Sequence, residues 1–130
     1  MVTMSVRVLI LDDIEHRHSF FDALYQGHEV VHAYLYSDFL RKLNQGVWDI
    51  VHLDHDLGDF VNKADTYVDG WGNIHEYNGQ HATMRVCELP DSLLPKRVII
   101  HSVNPIGAKA MRQMLERRGV EVKWEPFGGR

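Results

Sequence analysis

Short apolar runs alternate with helix-period segments along this chain, and polar residues gather where the runs stop. Residues 6–11 run straight into Asp12-Asp13. Residues 50–53, interrupted by His52, end in Asp54-His55-Asp56. Residues 98–100 end in His101-Ser102, with Asn104 just beyond. The spacing predicts strands over residues 6–11, 29–35, 48–54, 97–102 and 120–124. Between them it predicts four helices. The first covers 14–26, with a stripe of Phe20, Phe21, Leu24 and Tyr25 that Gly27 ends. The others cover 37–43, 78–89 (stopped by Pro90) and 105–118, where Pro105 opens the helix and Gly119 closes it.

Repeated strand–helix–strand units require parallel pairing through right-handed crossovers. The expected architecture is therefore α/β: a flavodoxin-like three-layer sandwich in one domain over residues 1–130. Its parallel sheet of five strands takes the order 2-1-3-4-5 and lacks the usual last helix. One stretch stands outside this economy. Residues 58–77 show little periodicity, and long inserts in a small domain are commonly functional. A lid or substrate loop is expected there, with Trp71 and Tyr77 available to stack on a ring.

In such a sheet, residues just past the carboxyl ends of the strands share one rim, where ligands bind. Asp12, Asp13 and Asp54 come from strands expected to be neighbours, and converging carboxylates suit a hard cation such as Mg²⁺. One of the first pair can instead cap the first helix. Arg17, one turn beyond Asp13, can fix that carboxylate or reach a phosphate with its planar fork. His55 and His101 are the candidate general acid and base, since imidazole titrates near neutrality. Asp56 stands beside His55 at the strand mouth. His52 reads as a hydrogen-bonded core histidine, and His16, His18, His28 and His32 as surface or helix-face residues. Ser102 and Asn104 form a strand-to-helix corner. There Asn104 can cap the last helix, whose first N–H groups attract anions.

Composition narrows the partners. At 130 residues and 45% apolar content the chain suits one domain. A net charge of −4 argues against a broad nucleic-acid grip, though not against a small phosphate-bearing ligand held by one or two cations. Cys87 is the only cysteine, which excludes an intrachain disulfide and suits a reducing cytosol. No apolar run reaches membrane-span length and no secretory pattern opens the chain, so a cytoplasmic location is expected.

Residues 48–54 (WDIVHLD), following residues 8–13 (VLILDD), resemble the acidic pocket of response-regulator receiver domains. That resemblance implies Asp54 as phosphoacceptor, Asp12-Asp13 as the metal-binding pair and Ser102 as the hydroxyl after the fourth strand. The chain departs from it at Glu125-Pro126-Phe127, where receivers carry Lys-Pro-Phe. A closer resemblance rests on Leu-Asp-Asp with Arg17, on residues 53–58 (LDHDLG), 77–79 (YNG) and 101–108 (HSVNPIGA), and on Met111. Together these resemble the cyclic-phosphate-processing receiver-like family. The implied activity is a phosphoesterase acting on cyclic phosphates such as the 2′,3′-cyclic ends of RNA. The implied residues are Asp12, Asp13, Arg17, Asp54, His55, Asp56, His101, Ser102 and Asn104. A signalling receiver and a non-catalytic module binding nucleotides or RNA ends are the alternatives.

Overall fold

The structure is a computed structural model and describes residues 5–57 and 65–126. Strands β1 (Arg7–Leu11), β2 (Glu29–Ala33) and β3 (Ile50–Leu53) are joined by helices α1 (Glu15–Leu24) and α2 (Tyr36–Leu43). A hairpin of β4 (Thr66–Val68) and β5 (Ile74–Glu76) precedes helix α3 (Gly79–Cys87). Then come β6 (Arg97–Ile100), α4 (Pro105–Arg118) and β7 (Glu121–Trp124). The main sheet is wholly parallel with order β2-β1-β3-β6-β7. This is the expected 2-1-3-4-5 order once the inserted hairpin is counted.

Two apolar groups flank the sheet because side chains alternate along each strand. Leu9, Leu11, Val51, Leu53, Val98 and Ile100 face α2, α3 and α4 and build the larger core with Phe39, Val86, Met111 and Leu115. Val8 and Ile10 face the opposite way and meet Phe21 of α1. The expected stripe on α1 is off by part of a turn. Phe20 and Leu24 are exposed, while His18 and Phe21 are buried. A buried histidine on that face is invisible to a hydrophobicity pattern, so the apolar neighbours drew the stripe to themselves.

The helix ends follow local chemistry. Asn78 closes a capping box with His81 at the start of α3. Asn104 caps α4 by accepting the Gly107 N–H at 3.0 Å, as expected. At α1 the expected aspartate cap is only half realised: Asp12 accepts the Ile14 N–H at 2.8 Å, but the N-cap residue is Ile14 itself. Gly119 ends α4 at φ +85°, a conformation glycine adopts without strain.

The insert is not featureless. Its described part, from Asp65, is the antiparallel hairpin β4–β5, and residues 58–64 of the expected loop lie outside the described residues. Strand pairs of three residues give too short an alternation to read as strands. Among the described residues no helix is long and apolar enough to cross a membrane.

Gly79 fixes how α3 meets the end of β3. A Cβ there would stand 1.8 Å from the Asp54 carbonyl oxygen, a backbone atom that cannot move aside. Gly79→Ala should therefore destabilise the fold by at least the ~1–3 kcal/mol typical of overpacking, read as a lower urea midpoint. An unchanged midpoint would mean that α3 is free to shift.

Candidate functional site

Backbone pairing continues one residue past each strand and holds the rim. The Asp12 N–H donates to Ala33 O, Asp54 N–H to Leu11 O and His101 N–H to Leu53 O, at 3.0–3.1 Å. Alternation then sorts the side chains. Residues 12, 54 and 101 share parity with the α1-facing positions of their strands, and 13, 55 and 102 with the opposite face. The expected site residues thus fall into two adjoining groups.

The first group is a buried charge cluster. Asp12, Asp54 and His101 are 0%, 5% and 2% exposed. His101 Nε2 lies 2.7 Å from Asp12 Oδ2, and Arg17 Nη1 lies 3.4 Å from both Asp12 Oδ2 and Asp54 Oδ2. Ligand atoms from Asp12, Asp54 and His101 all fall within 4.8 Å of one another. Burial raises the Asp54 carboxyl first, and the Asp12 charge adds to it. Arg17 and the His55 N–H act against them, and the result is about 8. Asp12 goes the other way. Burial pushes it up, but the His101 hydrogen bond, the Ile14 N–H and Arg17 together hold it below the ordinary carboxylate value. Asp12 therefore carries the negative charge, and Asp54 holds a proton near neutrality.

The second group surrounds His55. Its Nδ1 lies 2.9 Å from Asp56 Oδ1 and 3.4 Å from Asn104 Nδ2, and its backbone N–H donates to Asp54 Oδ1 at 2.9 Å. The ring rests on α4 at Gly107, where a Cβ would stand 2.3 Å from its Cδ2. The His55 side chain keeps 14% exposure and Asp56 is largely exposed. Ser102 is buried and its Oγ accepts the Asn104 N–H at 3.0 Å, which shapes the corner.

The structure thus joins Asp12, Asp54, His101 and Arg17, and separately His55, Asp56, Asn104 and Ser102. The two groups touch through the Asp54–His55 step. Asp13 is buried, and its charge helps raise Asp54. Arg17 bridges Asp12 and Asp54, a pairing that the sequence spacing did not point to.

Several functional-looking contacts escape sequence reasoning. His18, expected at a surface, is buried with Nε2 2.8 Å from Asp12 O and Nδ1 2.5 Å from His32 Nδ1. His32 in turn contacts Asp22. The i, i+3, i+7 spacing of His18, Phe21 and Tyr25 is the one signal that marks this face. His52 is a core histidine bonded to Tyr25 Oη at 2.5 Å, as expected, and burial lowers it to about 3. Tyr77 is already stacked on Tyr36 at 4.2 Å, whereas Trp71 at the hairpin tip is 90% exposed.

These shifts set opposite slopes of stability against pH. Asp54 binds a proton in the folded state up to about 8, against 3.8 for the free group. Its stabilising contribution is complete below pH ~4 and lost as pH rises through about 8. His18 and His52 are lowered from 6.5, so they remove stability only as pH falls below that value. Metal-free protein should therefore lose stability between pH 6.5, above the histidine range, and pH 8, by at most ~1.4 kcal/mol per pH unit from this group, and the decline should level off above pH 8. Asp54→Asn should flatten that decline. Urea midpoints across this window check it, and identical slopes in both proteins would refute it.

The sequence matches no curated protein. The solved structures it resembles include response regulator receiver domains. The fold superposes on NtrX from Brucella abortus in complex with ADP at a TM-score of 0.63 with 19% identity, covering 95% of this chain. It covers only 24% of the NtrX chain, so the likeness spans about a quarter of that protein's length. A CheY-like response regulator receiver domain from Methylobacillus flagellatus gives 0.63 at 16% identity, covering 95% and 86% of the two chains. CheY4 from Vibrio cholerae gives 0.63 at 15%, covering 98% and 90%. At these identities the likeness establishes the fold. The model of one family, the cyclic-phosphate processing receiver domain, matches residues 7–117, and the chain belongs to that family.

Proposed function

We propose that this receiver-like domain is a phosphoesterase that opens cyclic phosphates, with cyclic nucleotides or 2′,3′-cyclic RNA ends as its substrate class. The observation that carries the reading is the protonated Asp54 carboxyl, raised to about 8, one residue from the partly exposed imidazole of His55. Hydrolysis of a cyclic diester needs one proton removed from water and one supplied to the departing oxygen. His55 takes the water proton as its oxygen forms the new P–O bond. The ring P–O bond breaks, and Asp54 gives its proton to the leaving ribose oxygen. Asp56 and Asn104 both contact the His55 ring at Nδ1, which leaves Nε2 to act as the base.

His101 is too buried to touch a substrate and acts through Asp12, whose charge keeps Asp54 protonated. Arg17 and the Ser102–Asn104 corner steady the phosphate oxygens. The donor set fits a hard cation, because two carboxylates converge and one of them is costly to ionise without a positive partner. Asp12 and Asp54, with Asp13 beside them, would hold Mg²⁺ only with Asp54 ionised, so the ion would replace the Asp54 proton and would itself supply charge stabilisation to the phosphoryl group and leaving oxygen.

A signalling reading has its own support, since Asp54 follows the third parallel strand of a receiver fold. Against it weighs Glu125, which stands where receivers carry a phosphate-pairing lysine.

The test is a ³¹P NMR screen of cyclic mononucleotides and cyclic-ended RNA, with and without Mg²⁺. On a verified substrate, His55→Ala should lower kcat ~10²–10⁴-fold with little change in KM. Asn104→Ala should weaken substrate binding as well as remove a helix cap. Transfer of phosphate from acetyl phosphate to Asp54, without turnover of any cyclic ester, would favour the signalling reading instead.

A further inference from the structure

Arg17 meets the acid cluster through Nη1. Its Nη1 lies 3.4 Å from Asp12 Oδ2 and 3.4 Å from Asp54 Oδ2, in contact with both carboxylates that would hold a divalent ion. Asp12 Oδ2 is also 2.7 Å from His101 Nε2, so this oxygen already has two nitrogen partners. Mg²⁺ needs oxygen ligands at about 2.0–2.1 Å and accepts little distortion. An ion held by both carboxylates would compete with Nη1 for the same oxygens. Two cations cannot share the place, because their repulsion in a buried pocket is screened far less than in water.

From this geometry we infer that Arg17 is a resident counter-cation, and that Mg²⁺ enters the pocket by exchange with its guanidinium. The arginine suits this role. It is anchored on α1, where its backbone N–H donates to Ile14 O at 3.2 Å, and its side chain keeps 16% exposure at the pocket's edge. Displacement releases the fork toward solvent, where an incoming phosphate offers it two oxygens. The pocket thus balances its carboxylates without metal, and metal entry converts Arg17 from a structural partner into a ligand-binding group. The inference rests on the cation reading of the acid cluster. It stands apart from the phosphoesterase reading, since no substrate enters its test.

The test is a calorimetric titration of MgCl₂ into the full chain, comparing wild type with Arg17→Met and Arg17→Lys at fixed pH. A neighbouring arginine shifts a carboxylate's charge equilibrium by 1–3 pH units. Arg17→Met should therefore bind Mg²⁺ about tenfold or more tightly than wild type. Arg17→Lys, which keeps the charge, should stay closer to wild type. Equal or weaker Mg²⁺ binding by Arg17→Met, or no binding by either protein, would overturn the inference. Should Arg17→Met fail to fold, the Arg17 Nε–H signal of ¹⁵N-labelled wild type decides the matter. It should move as Mg²⁺ binds, and a fixed signal during saturation would overturn the exchange.

Discussion

Two carboxylates are buried side by side at the ends of adjacent parallel strands, and most of the site follows from the need to keep them there. An ionised pair without compensation would be too costly in such a setting. The protein resolves the conflict unequally. Asp12 collects the donors, taking the Ile14 N–H, His101 and a share of Arg17, and remains charged. Asp54 has fewer and keeps its proton. The chemistry proposed here arises from that asymmetry, because a carboxylic acid held protonated at neutral pH can donate.

The fold makes the asymmetry possible by parity. Asp12, Asp54 and His101 are each pinned by a ladder bond to a neighbouring strand, so the face of each is set by counting from its strand's core positions. Even-numbered Asp12 and Asp54 and odd-numbered His101 turn toward α1, which supplies Arg17. His55 turns toward α4, which supplies Asn104 and the bare surface of Gly107. The Asp54–His55 peptide joins the two groups, so a substrate contacting one lies within reach of the other.

Much of this was legible in the sequence, and the reasons are local. The strand order followed from apolar runs separated by helical segments, and α4 was bounded by Pro105 and Gly119. The rim residues were readable because polar groups at strand ends stand out against Val and Ile. What stayed hidden depends on tertiary burial. His18 faces inward because it spans Asp12 O and His32, contacts between segments that no periodicity records. The pairing of Arg17 with Asp54 joins residues 37 apart, which sequence spacing does not show. The hairpin of β4 and β5 was missed because three-residue strands carry too little pattern.

The receiver fold and family membership set the frame, and the buried acid pair supplies the chemistry within it. That pair can be observed directly. With ¹³C-labelled aspartate, and with Asp54→Asn to assign the signal, the Asp54 carboxyl should titrate near pH 8 in metal-free protein. Asp12 should remain ionised across the same range. A signal for Asp54 that titrates near 3.8, like a free carboxyl, would contradict the account. The pocket would then hold two ordinary carboxylates and no proton to give.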